Sequence, residues 1–78
     1  MNKAIKIEWM YGSMIHVRID RGAAVISANR EGLLSLARQF AALAEGVPGD
    51  HIHYDEYNSL EEGSTELIVE RISDEEGL

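Results

Sequence analysis

Between Asn29 and Gly46 the apolar residues Leu33, Leu36, Phe40 and Leu43 recur at steps of three and four, and Ala37 and Ala44 widen the same stripe. That period belongs to an α-helix with one face turned to a core, which leaves Arg38, Gln39 and Glu45 for the opposite face. The ends agree with it. Asn29 can accept from the free N–H groups of the first turn, Glu31 sits where the helix dipole favours an anion, and Gly46 followed by Pro48 gives a stop. At about 1.5 Å per residue the element runs roughly 25 Å, enough to lie across a small sheet. Gly32, in the first turn, costs up to about 1 kcal/mol against alanine if interior, so either the turn frays or a neighbouring strand comes close there.

The rest of the chain reads as that sheet. From Lys3 to Tyr11, Ile5, Ile7 and Trp9 alternate with Lys6, Glu8 and Met10, the period-two pattern of a half-buried strand. The turn Tyr11-Gly12-Ser13 leads to a second run, Met14 to Asp20, in which Ile15, Val17 and Ile19 alternate with His16 and Arg18. Arg21-Gly22 turns the chain into a third, Ala23 to Ala28, completing a three-stranded meander. After the helix, Gly46 to Asp50 is a loop and His51 to Tyr54 a short strand with Ile52 and Tyr54 on one face. Asp55 to Ser64 is a polar loop, and Thr65 to Ile72 a last strand. The expected fold is α+β: a single two-layer domain over 1–72, its mainly antiparallel sheet of four to five strands in the order β-β-β-α-β-β, with one helix packed on one face. Its core would be Ile5, Ile7, Trp9, Ile15, Val17, Ile19, Val25, Ile52 and Leu67 against the helix stripe. Residues 73–78 lack apolar periodicity and read as an acidic mobile tail.

A chain of 78 residues buries only about 60–65% of its unfolded surface, so its core is thin and a homodimer would add burial. Without cysteine it has no disulfide, thiolate metal site or thiol nucleophile. No apolar run exceeds five residues, which predicts neither secretory signal nor membrane span and makes the cytoplasm the expected location. With 14 acidic against 7 basic residues the net charge is −7, repelling nucleic acid and anionic membrane and attracting a basic protein partner.

The sharpest chemical pattern is His51-x-His53-x-Asp55. Alternate strand residues share a face roughly 6.5–7 Å apart, a spacing from which two imidazoles and a carboxylate could converge on zinc. His16 falls on the same face but two or more strands away, on the order of 10 Å at about 4.8 Å per strand. This pattern supports one functional class, a small homodimeric domain binding a metal or ligand through its histidine-bearing face. The plainer alternative is a pair of strand histidines making ordinary hydrogen bonds. Catalysis finds no support: the carboxylates of Asp55, Glu56, Glu61 and Glu62 lie in a loop without a spacing that sets two across a substrate, and neither a nucleophile elbow nor a phosphate loop occurs. The expectation is therefore no enzyme and no cofactor. Trp9 belongs to the core by its alternation, whereas Tyr57, in the acidic loop, suits partner contact.

Three segments, Asn29-Arg30-Glu31-Gly32-Leu33-Leu34, Asp50-His51-Ile52-His53-Tyr54-Asp55-Glu56 and Glu62-Gly63-Ser64-Thr65-Glu66-Leu67-Ile68-Val69, resemble the bacterial immunity protein 32 family. The resemblance covers the last two-thirds of the chain. It implies a small cytoplasmic protein, encoded beside a polymorphic toxin, that binds and neutralises a cognate toxin domain, and it implies no catalytic residues. A basic nuclease domain would be steered onto a partner of this charge. On that expectation the docking surface comprises Asp55, Glu56, Tyr57, Glu61, Glu62, Glu66, Asp74, Glu75 and Glu76.

Overall fold

A computed structural model describes residues 5–75. Its elements are β1 (Ile15–Asp20), β2 (Ala23–Ala28), α1 (Arg30–Ala44), β3 (His51–Tyr54) and β4 (Leu67–Glu70). β1 and β2 form an antiparallel hairpin with Ile15 opposite Ala28 and Asp20 opposite Ala23. Arg21 and Gly22 close it with φ of 53° and 85°, the pair of positive values that lets a two-residue turn follow the twist of its strands.

β3 pairs antiparallel with β4, Tyr54 opposite Leu67 and His51 opposite Glu70. The chain is α+β as expected, but the expected single sheet of four to five strands is replaced by two sheets of two strands each. The segment before β4 explains the division. It lies along the free side of β1, where Glu61 N–H donates to the Ile15 carbonyl and Thr65 N–H to the Val17 carbonyl, both at 2.8 Å. Ser64 Oγ accepts from Val17 N–H at 3.2 Å. The loop thus advances from 61 to 65 while β1 advances only from 15 to 17. Extra residues between bonds interrupt the regular spacing of a ladder, so the two sheets are fastened together without becoming one.

The expected first strand is also corrected. Lys3 and Ala4 lie outside the described residues, and 5–10 keep the alternation, with Ile5, Ile7 and Trp9 half-buried and Lys6 and Glu8 exposed, yet join no sheet. Two of their backbone groups are met by helix side chains instead: Met10 N–H donates to Ser35 Oγ at 2.9 Å, and the Glu8 carbonyl accepts from Gln39 Nε2 at 2.9 Å.

That contact turns α1. Its buried residues are Gly32, Ser35, Leu36, Gln39 and Leu43, roughly a quarter turn from the expected stripe. Leu33 is 53% exposed, and Phe40 lies at the margin. Gln39, expected on the polar face, is 3% exposed. Asn29 caps the helix as expected, its Oδ1 accepting from Gly32 N–H at 2.9 Å. The same side chain accepts from Met14 N–H at 3.0 Å and donates to the Gly12 carbonyl at 2.8 Å, tying the turn before β1 to the helix start. Gly32 is there for close approach: a Cβ would stand 2.8 Å from the Met14 carbonyl oxygen and 2.9 Å from Ile15 Cγ1.

Ile15, Val17, Leu36, Leu43, Ile52, Tyr54 and Leu60 form the buried core, flanked by Ile5, Ile7, Trp9, Ala28, Leu67 and Val69. Two expected core residues differ. Ile19 is 59% exposed, at the far end of the hairpin from Ile15, and Val25 is only half-buried because it pairs with Arg18 and so stands on the face of the hairpin opposite Ile15 and Val17.

Candidate partner-binding surface

The loop that leaves β3 is braced from within. Asp55 Oδ1 accepts from the N–H groups of Tyr57 and Asn58 at 2.9 and 3.1 Å, and Asn58 Oδ1 accepts from Asp55 N–H at 3.0 Å. Asn58 Nδ2 donates to the His53 carbonyl at 2.8 Å. The Asp55 carbonyl accepts from Ser59 and Leu60 N–H, and the Leu60 side chain plugs into the core. A single leucine in a polar stretch gives no periodic signal, which is why this anchor is invisible in the pattern of the chain. Gly63 N–H donates to the Glu56 carboxylate, and Ser64 N–H to the Glu61 carbonyl, closing the far end. Between these ties Tyr57 stands 95% exposed.

The acidic residues singled out from the sequence divide into two groups. Asp55 is half-buried, its carboxylate consumed by the turn, and Glu56 is tied to Gly63. Glu66 Oε2 lies 3.1 Å from His53 Nε2, and Asp74 Oδ1 3.7 Å from Arg71. Glu61, Glu62 and Glu75 are exposed, with no ion pair to their carboxylates among the described residues. Glu76 lies outside the described residues.

Charge is distributed unevenly along the chain. Ten of the fourteen acidic residues follow Gly49, where Arg71 is the one basic residue. This half includes Glu70, exposed on β4 opposite His51. Strand alternation alone passes over it, while a count of charge by halves would have found it.

The histidines are engaged separately. His51 Nδ1 is 3.4 Å from the Gly49 carbonyl, His53 faces Glu66, and His16 lies half-buried in the other sheet. Among the described residues no three His, Cys, Asp or Glu side chains come close enough together to hold a metal ion, so His51, His53 and Asp55 are not assembled as a ligand set.

Under α1, Tyr54 OH donates to Gln39 Oε1 at 2.8 Å, and burial pushes the phenol up to about 12. Gln39 is engaged at both ends, its oxygen by Tyr54 and its nitrogen by the Glu8 carbonyl. A groove of about 310 Å³ opens beside it, lined by Lys6, Glu8, Trp9, Arg38 and Gln39 among others. The network holds the N-terminal segment to the helix.

The family model for immunity protein 32 matches residues 24–72, from β2 through β4. This chain belongs to the immunity protein 32 family. No curated protein and no solved structure matches it. Membership in the family makes the chain an immunity protein, a role discharged by binding a cognate toxin. The matched stretch contains the braced loop with Tyr57, Glu61 and Glu62, and α1 behind it. Segment 5–10 and β1 fall before it. Among the described residues no helix is long and apolar enough to cross a membrane.

Proposed function

We propose that this immunity protein neutralises its toxin by docking the acidic surface around the 55–66 loop onto a basic face of the toxin domain, in the cytoplasm of the cell it protects. The observation that carries the reading is the gathering of acidic residues into the C-terminal half, around a loop that presents Tyr57 almost fully to solvent. Uncompensated carboxylates such as Glu61 and Glu62 raise the encounter rate with a positive surface and reject negative ones. A tyrosine on a pre-ordered turn loses little freedom on binding and supplies a large anchor. A nuclease is the toxin class that best fits, because a domain that grips phosphates must display the complementary charge.

The test is co-expression with the toxin domain encoded beside this chain, scored by growth, followed by stopped-flow association over a range of salt. Wild-type protein restores growth and associates faster as salt falls. The double reversal Glu61→Lys/Glu62→Lys slows association by about tenfold at low salt and flattens its salt dependence. Tyr57→Ala acts mainly on dissociation, raising it by about 30-fold for an anchor worth about 2 kcal/mol. Unchanged association kinetics for the double reversal at low salt would overturn the reading.

A further inference from the structure

β2 is an outer strand that no other segment covers edge-on among the described residues. β1 is bonded on one side to β2 and on the other to Glu61, Ser64 and Thr65. The backbone of β2, among the described residues, bonds to no segment other than β1. Its outward row of N–H and C=O groups is therefore open to a further strand. Edges of this kind are ordinarily protected by charge, proline, a bulge or shortness. Ala23-Ala24-Val25-Ile26-Ser27-Ala28 is six residues long, uncharged and without proline, and its register with β1 is unbroken. β3, by contrast, has four residues and carries two imidazoles. Apolar side chains continue the bare strip, since Ile26 and Ile19 lie on the core-facing side of the hairpin and are 40% and 59% exposed.

We infer that β2 pairs antiparallel with β2 of a second copy of this chain, joining two hairpins into one four-stranded sheet about a two-fold axis. Such an axis places one residue opposite itself and keeps both core faces on the same side of the sheet. Val25 and Ile26 stand at the middle of the strand, and both are β-branched and uncharged, so self-apposition gives a favourable cross-strand pair with no like charges opposed. The flanks select a copy of the same chain. β2 is bracketed by Asp20-Arg21 before it and Arg30-Glu31 after it. Either axis sets the Arg21-Gly22 turn of one copy beside the start of α1 in the other, so Arg21 comes to the end of its neighbour that carries Glu31 and lies away from a second Arg21. The copies also meet away from their acidic halves, because residues 1–49 hold six basic and four acidic side chains. For a domain with so thin a core, the added burial is a gain in stability.

The inference is independent of toxin binding and is tested without toxin. Sedimentation equilibrium of the whole chain shows a dimer whose share rises with concentration. Because the chain has no cysteine, single replacements report the axis directly. Val25→Cys or Ile26→Cys, whichever lies on it, forms an intersubunit disulfide under mild oxidation, whereas Ala41→Cys, on the exposed side of α1, does not. Ile26→Lys sets two ammonium groups near the axis and weakens self-association by about tenfold or more, with its far-UV circular dichroism unchanged. A monomer at every concentration up to about 1 mM overturns the inference, whatever the variants do. Cross-linking through Ala41→Cys as readily as through the β2 variants overturns it equally.

Discussion

Replacing Tyr54 by phenylalanine removes one oxygen and leaves the ring in place. The hydroxyl is fully buried and donates to Gln39 Oε1 at 2.8 Å, while Gln39 Nε2 reaches the Glu8 carbonyl. Tyr54→Phe strands the Gln39 oxygen in the core, and an unmet buried acceptor costs about 1–3 kcal/mol. Against a total stability of roughly 4–12 kcal/mol for a domain of this length, that is a sizeable fraction. It lowers Tm by about 4–8 °C per kcal/mol. Gln39→Leu is harsher, since it strands both the phenol and the Glu8 carbonyl and loosens segment 5–10 from α1. The double variant recovers part of the summed loss, with a coupling of about 1 kcal/mol. Trp9, the sole tryptophan, stands edge-on to Tyr54 at 6.0 Å between ring centroids, so urea unfolding followed by its fluorescence reads this site. The same substitution changes the alkaline limb. Burial holds the Tyr54 phenol at about 12, whereas an unfolded tyrosine ionises near 10. Between those values the unfolded chain has released a proton that the folded chain retains. This contribution is complete below about pH 10 and is lost as pH rises toward 12, on the order of 2–3 kcal/mol, and Tyr54→Phe lacks it. A change under about 0.5 kcal/mol at neutral pH, together with an unaltered alkaline limb, would refute the reasoning.

Two further outcomes follow from the start of α1. Gly32→Ala gains about 1 kcal/mol of helix propensity but presses a methyl into the Met14 carbonyl and Ile15, an overpacking worth about 1–3 kcal/mol, so denaturant unfolding shows a net loss; a stabilised variant would mean that the helix does not bear on β1. Asn29→Ala loses the cap and also the bonds to Met14 N–H and the Gly12 carbonyl, so its loss by thermal unfolding is about 2–3 kcal/mol, above an ordinary cap, whereas Asn29→Ser keeps the cap and recovers only part.

Local patterns in the chain carry the helix ends, the β1–β2 hairpin and the inward faces of Ile52 and Tyr54, because capping chemistry and two-residue alternation act over a few residues. What they do not carry is which backbone bonds to which. Ile5, Ile7 and Trp9 alternate like a strand and pack like one, yet the neighbours of that segment are the Ser35 and Gln39 side chains. For the same reason Gln39, which looks like a surface residue, is buried, while Leu33 and Phe40 turn toward solvent and Leu36 and Leu43 keep their place in the core. The single sheet fails over Glu61 to Thr65, where spacing against β1 rather than composition decides whether a ladder forms. At the surface, the sequence indicates the acidity of the last third. It does not indicate that Asp55 and Glu56 spend their carboxylates on the loop itself, leaving Glu61, Glu62 and Tyr57 outward.

The fastening of Glu61 and Thr65 to the Ile15 and Val17 carbonyls bears on where this molecule can be cut. Similarity to the family model begins at residue 24, yet the rail to which the acidic loop is clipped lies upstream, in β1. A truncation at that border would carry every carboxylate of the loop and lose both its backbone clips and two of the seven buried core side chains among the described residues, Ile15 and Val17. The edge of resemblance is therefore no seam in the architecture, and the stretch before it works as a splint for the surface that follows.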